Sequence, residues 1–293
     1  MPKTLLLTGA DGFLGTHLTS EFTRQGWTVY GLVRNCREKR LPPGLAGCFE
    51  YSLASGAAEE ALRIRADMVI HAAFQTRGAA DAESGPTNLR STTMLIEQFQ
   101  RAHFIFISSM SAHDGALSHY GRSKRQIERA IDLDECLAIR PGFVIGPGGI
   151  FQRLAQTLSR TRIAPMPYGG SLPIQTADVE ELARAIEQLA SVRATGLCNF
   201  GEVTPVSIAT FYRSVVEWMG KRISLFPVPG APILLLARLM EQCGVPLPLT
   251  SENLLGLKGL IHQPVEPTVA KIGWQPSSLS EILNRYDPRT IVG

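Results

Sequence analysis

Five short runs of consecutive apolar residues recur along the first half of the chain: TLLLTG (4–9), WTVYGLV (27–33), ADMVIHAA (66–73), HFIFISS (103–109) and CLAIRPGFVI (136–145). Strands this continuously apolar have to be buried on both faces, which requires a parallel sheet covered by helices. Longer amphipathic stretches separate most of them, so the expected fold is α/β, a doubly wound parallel sheet. One helix is expected from Pro86, in the first-turn position that proline favours, to Gln100, and another holds Tyr120. After RPGFVIGPGG the pattern changes to helices interrupted by Pro-rich loops such as IAPMPYGGSLP, FPVPGAP and HQPVEP. We therefore expect a first domain over 1–145, with 175–201 returning to its sheet as helix 177–191 and strand 196–201. A smaller, mostly helical second domain is expected from 146–174 and 202–293.

A chain of 293 residues with 44% hydrophobic content can bury one large core or two unequal ones. Its net charge of only +3, with cations scattered, argues against nucleic acid as a partner. The five cysteines (Cys36, Cys48, Cys136, Cys198, Cys243) are far apart and lack CxxC spacing, so neither a disulfide framework nor a metal site is expected. That usage fits a reducing, cytoplasmic compartment. The apolar run near the N-terminus is too short for an export signal. The longest apolar stretch, APILLLARLM (231–240), is broken by Arg238 and falls short of the roughly 18 residues of a membrane span. It reads as a buried or interfacial helix.

Three constellations carry chemistry. LLLTGADGFLG spaces Gly9, Gly12 and Gly15 between the first strand and the following helix, where glycines let the backbone approach a pyrophosphate and the helix N-terminus offers free N–H groups. The second strand ends at Arg34, where a site for NAD would carry an acid for the ribose 2′-OH. A cation there suits a 2′-phosphate, so NADP is expected ahead of NAD, and Arg37, Lys39 and Arg40 extend the positive charge. SHYGRSK puts Tyr120 and Lys124 four residues apart, on one face of a helix. A free tyrosine has a pKa of about 10 and needs a nearby cation to do acid/base work near neutrality.

These motifs, with PTNLRSTTMLIE, FISSMSAH, YGRSK, AIRPGFVIGPGG and GWQPSSLSEIL in the same order, resemble the extended short-chain dehydrogenase/reductase family, the NAD(P)-dependent epimerase/dehydratase group, over nearly the whole chain. The resemblance implies a Rossmann domain with a small C-terminal substrate domain and a Ser/Tyr/Lys triad at a nicotinamide. Tyr120 would be the acid/base, Lys124 its tuner and Ser109 the hydroxyl on the substrate oxygen, with Ser108 and Ser111 as alternatives. The cofactor would be lined by Gly9, Asp11, Gly12, Phe13, Leu14, Gly15, Arg34, Ser52, Leu53, Ala72, Ala73, Phe74 and Ser108. Tyr120, Lys124, Pro141 and Val144 would complete that lining. Asn88 matches the asparagine of the fourth helix, while His71 and Asp67 match structural positions; His113, His119 and His262 read as ordinary polar residues.

The chain departs from the family pattern at Ser52, where an acid usually meets adenine, and at Ser171, where many nucleotide-sugar members carry an arginine. PMPYGGSLPIQTADVEEL and LPLTSENLLGL resemble a branch related to a respiratory complex I accessory subunit, in which the fold serves as a nucleotide-holding scaffold. That branch often lacks the catalytic Tyr and Lys, and this chain keeps both. The expectation is an oxidoreductase or epimerase/dehydratase acting on a carbonyl or hydroxyl of a small molecule, a sugar derivative among the candidates. The alternative is a non-catalytic NADP(H)-binding scaffold. Family members often form homodimers through the helices corresponding to 87–101 and 119–131.

Overall fold

A computed structural model describes residues 2–37, 41–76, 81–245, 247 and 249–292, the side chains of 81–83 excepted. Lys39 and Arg40 lie outside the described residues. In chain order the elements begin β1 (Thr4–Thr8), α1 (Phe13–Arg24), β2 (Thr28–Val33), β3 (Leu45–Ser52), β4 (Gly56–Ala57), α2 (Glu59–Leu62), β5 (Met68–His71), α3 (Asp81–Gln98), β6 (His103–Ile107), α4 (His119–Ala130) and β7 (Leu137–Pro141). They continue β8 (Phe143–Ile145), α5 (Gly149–Ser159), β9 (Ile163–Pro167), β10 (Pro173–Ile174), β11 (Thr176–Asp178), α6 (Val179–Ser191), β12 (Gly196–Phe200) and β13 (Val206–Ser207). The last are α7 (Ile208–Trp218), β14 (Ser224–Val228), α8 (Gly230–Gln242), α9 (Ser251–Lys258), α10 (Glu266–Ile272), α11 (Leu279–Arg285) and α12 (Pro288–Val292).

Two compact units result, one of Met1–Ser109, Ser123–Arg140 and Glu180–Cys198, the other of Met110–Arg122, Pro141–Val179 and Asn199–Gly293. The first is built on an eight-stranded sheet in the order β12-β7-β6-β5-β1-β2-β3-β4. Its strands from β3 through β7 pair in parallel, as the apolar runs of β1, β2, β5, β6 and β7 require, whereas β3, toward the sheet edge, carries the exposed Glu50. The chain winds outward from β1 to β4, then returns to the other side of β1 as β5. The crevice of such a sheet opens at the C-terminal end of β1, between its two neighbours. Leu6, Val69, Phe104, Phe106, Ile127 and Ala138 form its apolar core with the flanking helices.

In the second unit α5 contributes Phe151, Leu154 and Leu158, α7 contributes Phe211 and Val215, and α11 contributes Ile282 and Leu283 to a separate core. Short strand pairs, β8 with β11 and β9 with β14, join these helices. The apolar stretch expected to be a buried or interfacial helix is α8; Ala237 is buried, while Leu235, Leu236 and Leu239 are 60%, 57% and 51% exposed. Among the described residues, no helix is long and apolar enough to cross a membrane.

Three local expectations are corrected. CLAIRPGFVI is two strands rather than one, because the chain leaves the main sheet after Pro141 and β8 pairs with β11 instead. Gly142 sits at that turn with no room for a side chain, since a Cβ would collide with the carbonyl oxygen of Gln175. Helix α3 starts at Asp81, so Pro86 lies inside it and not at its first position. Cys36 and Cys48 form a disulfide, with Cα atoms 6.0 Å apart. Sequence spacing did not suggest it: β3 runs parallel beside β2, which brings Cys36, just after β2, near Cys48.

Candidate active site

The turn between β1 and α1 is shaped by its glycines. Gly9 has φ +67°, a left-handed conformation that only glycine adopts freely, and its amide donates to Leu32 O at 2.9 Å. A Cβ on Gly15 would collide with Gly9 O and approach Ala10 Cα to 2.8 Å, so α1 packs this tightly on β1 only with glycine there. Gly12 is the N-cap of α1; no side chain caps it and its first turn carries no acid. The amides of Phe13, Leu14 and Gly15 open the helix and have no partner within it, with half-buried Asp11 beside them.

Thr8 ties the ends of β1 and β5 together. Its hydroxyl oxygen accepts from the amides of Ala72 and Ala73 at 3.1 and 3.0 Å and lies 2.8 Å from His71 Nδ1. With both amides donating to it, the hydroxyl donates its own proton to Nδ1, leaving the imidazole neutral with its proton on Nε2. Burial, reinforced by the Lys124 charge, pushes the His71 pKa down to about 3. Asn88 on α3 clamps the next loop, accepting from Gln75 N at 2.9 Å and donating to Gln75 O at 3.0 Å. Both residues shape the crevice wall.

Lys124 is 2% exposed. Its ammonium donates to Ile107 O at 2.5 Å and lies 3.8 Å from the ring centroid of Phe74 and 4.6 Å from that of Phe106. Burial pushes its pKa down to about 7, partly opposed by the Glu128 carboxylate. The ammonium is therefore balanced near neutrality. Ser108 is 2% exposed and donates to Glu128 Oε1 at 2.5 Å, whereas Ser109 is half-buried.

The first unit thus gathers the glycine turn, Arg34, Ala72, Ala73, Phe74, Ser108, Ser109 and Lys124 after the C-terminal ends of parallel strands or beside them. Arg34 is exposed directly after β2. Ser52, which closes β3, bonds Ser55 Oγ at 2.6 Å, and Leu53 packs on the apolar core. Half-buried Tyr120 lies in the second unit's 110–122 segment, as the second residue of α4. Ser118 caps that helix by accepting from Gly121 N at 3.1 Å, and Glu252 Oε2 accepts from His119 N at 2.8 Å. Pro141 and Val144 also belong to the second unit, where Val144 is opposite Ala177 in the β8–β11 pair.

Sequence reasoning missed Gly121, where a Cβ would collide with Ser111 O, and missed Glu128 and Arg140 altogether. The YG pair was the available signal for the first; the other two lie 12 positions apart and show none. Among the described residues, no group of three or more His, Cys, Asp or Glu could hold a metal ion.

Residues 5–148 match the NAD dependent epimerase/dehydratase family. Over that segment the chain belongs to that family. Its members are enzymes of the extended short-chain dehydrogenase/reductase type. The UDP-glucose 4-epimerase of Vibrio cholerae is 27% identical over 94% of this chain and 92% of its own length. The ceramide reductase of Caulobacter vibrioides (strain NA1000 / CB15N) is 26% identical over 80% and 76%. The fold is shared with MoeE5, solved in complex with UDP-glucose and NAD, at a TM-score of 0.71 and 22% identity over 98% of both chains.

Proposed function

We propose that this chain is an NADP(H)-dependent oxidoreductase or epimerase/dehydratase acting on a hydroxyl or carbonyl of a small molecule, with Tyr120 as its acid/base. The observation that carries this reading is Lys124, buried near neutrality and four positions after Tyr120 on α4. The glycine turn fits a dinucleotide pyrophosphate because Gly15 lets α1 pack close against β1 with its N-terminus at the turn, and Arg34 supplies the cation that a 2′-phosphate needs. The dinucleotide, when bound, accepts or returns a hydride at its nicotinamide.

The phenolate of Tyr120 removes the proton of a substrate hydroxyl, and the phenol returns it to the oxygen in the reverse direction. The Lys124 ammonium stabilises the phenolate, and Ser109 donates a hydrogen bond to the reacting oxygen.

A nucleotide-linked sugar is the first substrate class to test, given the epimerase relative. A second reading is a ketone on a lipid amide. It is favoured by the similarity to the ceramide reductase and by the exposed leucines of α8.

The test combines dinucleotide binding with turnover. NADPH should raise Tm more than NADH does, and one arm of a panel of UDP-sugars and oxo-ceramides should consume or require cofactor. Tyr120→Phe should cut that turnover about 10²-fold or more while leaving dinucleotide affinity within twofold. Undiminished turnover in the variant would overturn the assignment. Stabilisation by dinucleotide without turnover on any member of the panel would favour the scaffold.

A further inference from the structure

One helical turn beyond Lys124, the proposed chemistry leaves a buried carboxylate unused. The Glu128 side chain is fully buried, and its oxygens are heavily engaged. Oε1 accepts from Ser108 Oγ at 2.5 Å and from Arg140 Nε at 2.7 Å; Oε2 accepts from Arg140 Nη2 at 2.5 Å and, more weakly, from Arg125 Nη1 at 3.4 Å. Arg140, on β7, is itself 5% exposed.

The placement of these bonds is specific. Lys124 holds the carbonyl of Ile107, the last residue of β6, and Glu128 holds the hydroxyl of Ser108, the residue after it. Ser108 N in turn donates to Ile139 O on β7, next to Arg140. Two successive turns of α4 therefore grip two successive residues at the strand end. Burying an ion pair gives little net stability, because desolvation offsets the attraction, and an apolar pair of equal volume often does as well. Stability alone does not account for a three-membered charged cluster placed under the lysine.

We propose that Glu128, fixed by Arg140 and Ser108, is a positioning residue that keeps the Lys124 ammonium charged and seated at the end of β6. The role in catalysis rests on the assignment of Tyr120 and Lys124 as the acid/base pair; the electrostatic role does not. Among the described residues, the charged and titratable groups to weigh near Lys124 include Glu128, Arg125 and Tyr120 on its own helix, Arg140 from β7, which is held by Glu128, and neutral His71 from β5. Glu128 favours the ammonium while burial opposes it, so removing that carboxylate charge weakens the hold of Lys124 on its proton.

The test is the Lys124 titration itself, followed by ¹³Cε NMR on the full chain without dinucleotide. The chain has six lysines, and the Lys124 signal is the one missing from Lys124→Met. Glu128→Gln should lower the Lys124 midpoint by about one pH unit or more, the usual effect of an opposite charge at this range. Since stripping one partner from a buried pair endangers the fold, Glu128→Gln combined with Arg140→Gln provides a neutral, hydrogen-bonding replacement that should lower the midpoint in the same direction. A merely structural glutamate would lower Tm and leave the midpoint where it was. A Lys124 midpoint within about 0.3 unit of wild type in either folded variant would overturn the proposal. If the midpoint falls but Tyr120→Phe retains turnover, the electrostatic role stands and the enzymatic reading of this helix fails.

Discussion

Replacing Lys124 with methionine isolates the cost of burying an ammonium. In the folded chain the group loses its proton near pH 7, and in the unfolded chain near its ordinary 10.5. Between those values the unfolded chain binds more protons, so the free energy of unfolding rises with pH across that window. Below about pH 7 both states are protonated and the full penalty applies; above 10.5 both are neutral and it vanishes. A difference of this size corresponds to about 5 kcal/mol at most, and local relaxation and water entry reduce it. The ring contacts with Phe74 and Phe106 offset roughly 1 to 2 kcal/mol of it. Methionine has nearly the same length and no charge, so the variant keeps the packing and loses the pH dependence. Denaturant unfolding of both proteins between about pH 6 and 10.5 reads the difference, in which all other titrating groups cancel. Wild type should be the less stable protein at pH 6 and gain on the variant by roughly 2 to 5 kcal/mol as the pH rises. Parallel curves, or a wild type that loses ground with rising pH, would refute the burial argument.

Other perturbations probe separate parts of the chain. Gly15→Ala drives a Cβ into Gly9 O, so Tm should fall and any thermal shift with dinucleotide should disappear. Arg34→Asp should weaken NADP binding about tenfold or more while changing NAD binding much less, read by titration calorimetry; equal losses would remove Arg34 from the 2′-phosphate assignment. The Cys36–Cys48 bond should leave three of the five cysteines reactive in denaturant before reduction and all five after it. The double serine variant should then be less stable by roughly 2 to 3 kcal/mol, the usual scale for closing a loop of this length.

The strands and the glycine turn were legible because each is written in consecutive residues. Short apolar runs alternating with amphipathic stretches read as strands covered on both sides, and Gly9 and Gly15 lie within one strand-turn-helix unit. Tyr120 and Lys124 could be paired because helical periodicity brings i and i+4 together. Glu128 was hidden for the same kind of reason: among Arg122, Lys124, Arg125 and Arg129 it reads as one more charge on a wet helix. The disulfide was hidden because nothing near Cys36 announces that β3 returns beside β2.

The amino-acid order by itself determined which segments are strands, where the backbone must turn tightly, and which phenol has a cation within one helical turn. Only the tertiary structure decided what those groups are chemically. Burial against Phe74 and Phe106 brings Lys124 to the edge of losing its proton, and the meeting of α4 with β6 and β7 commits Ser108 to Glu128. Local geometry follows from neighbours along the chain, whereas solvation and ion pairing depend on residues 12 to 50 positions away.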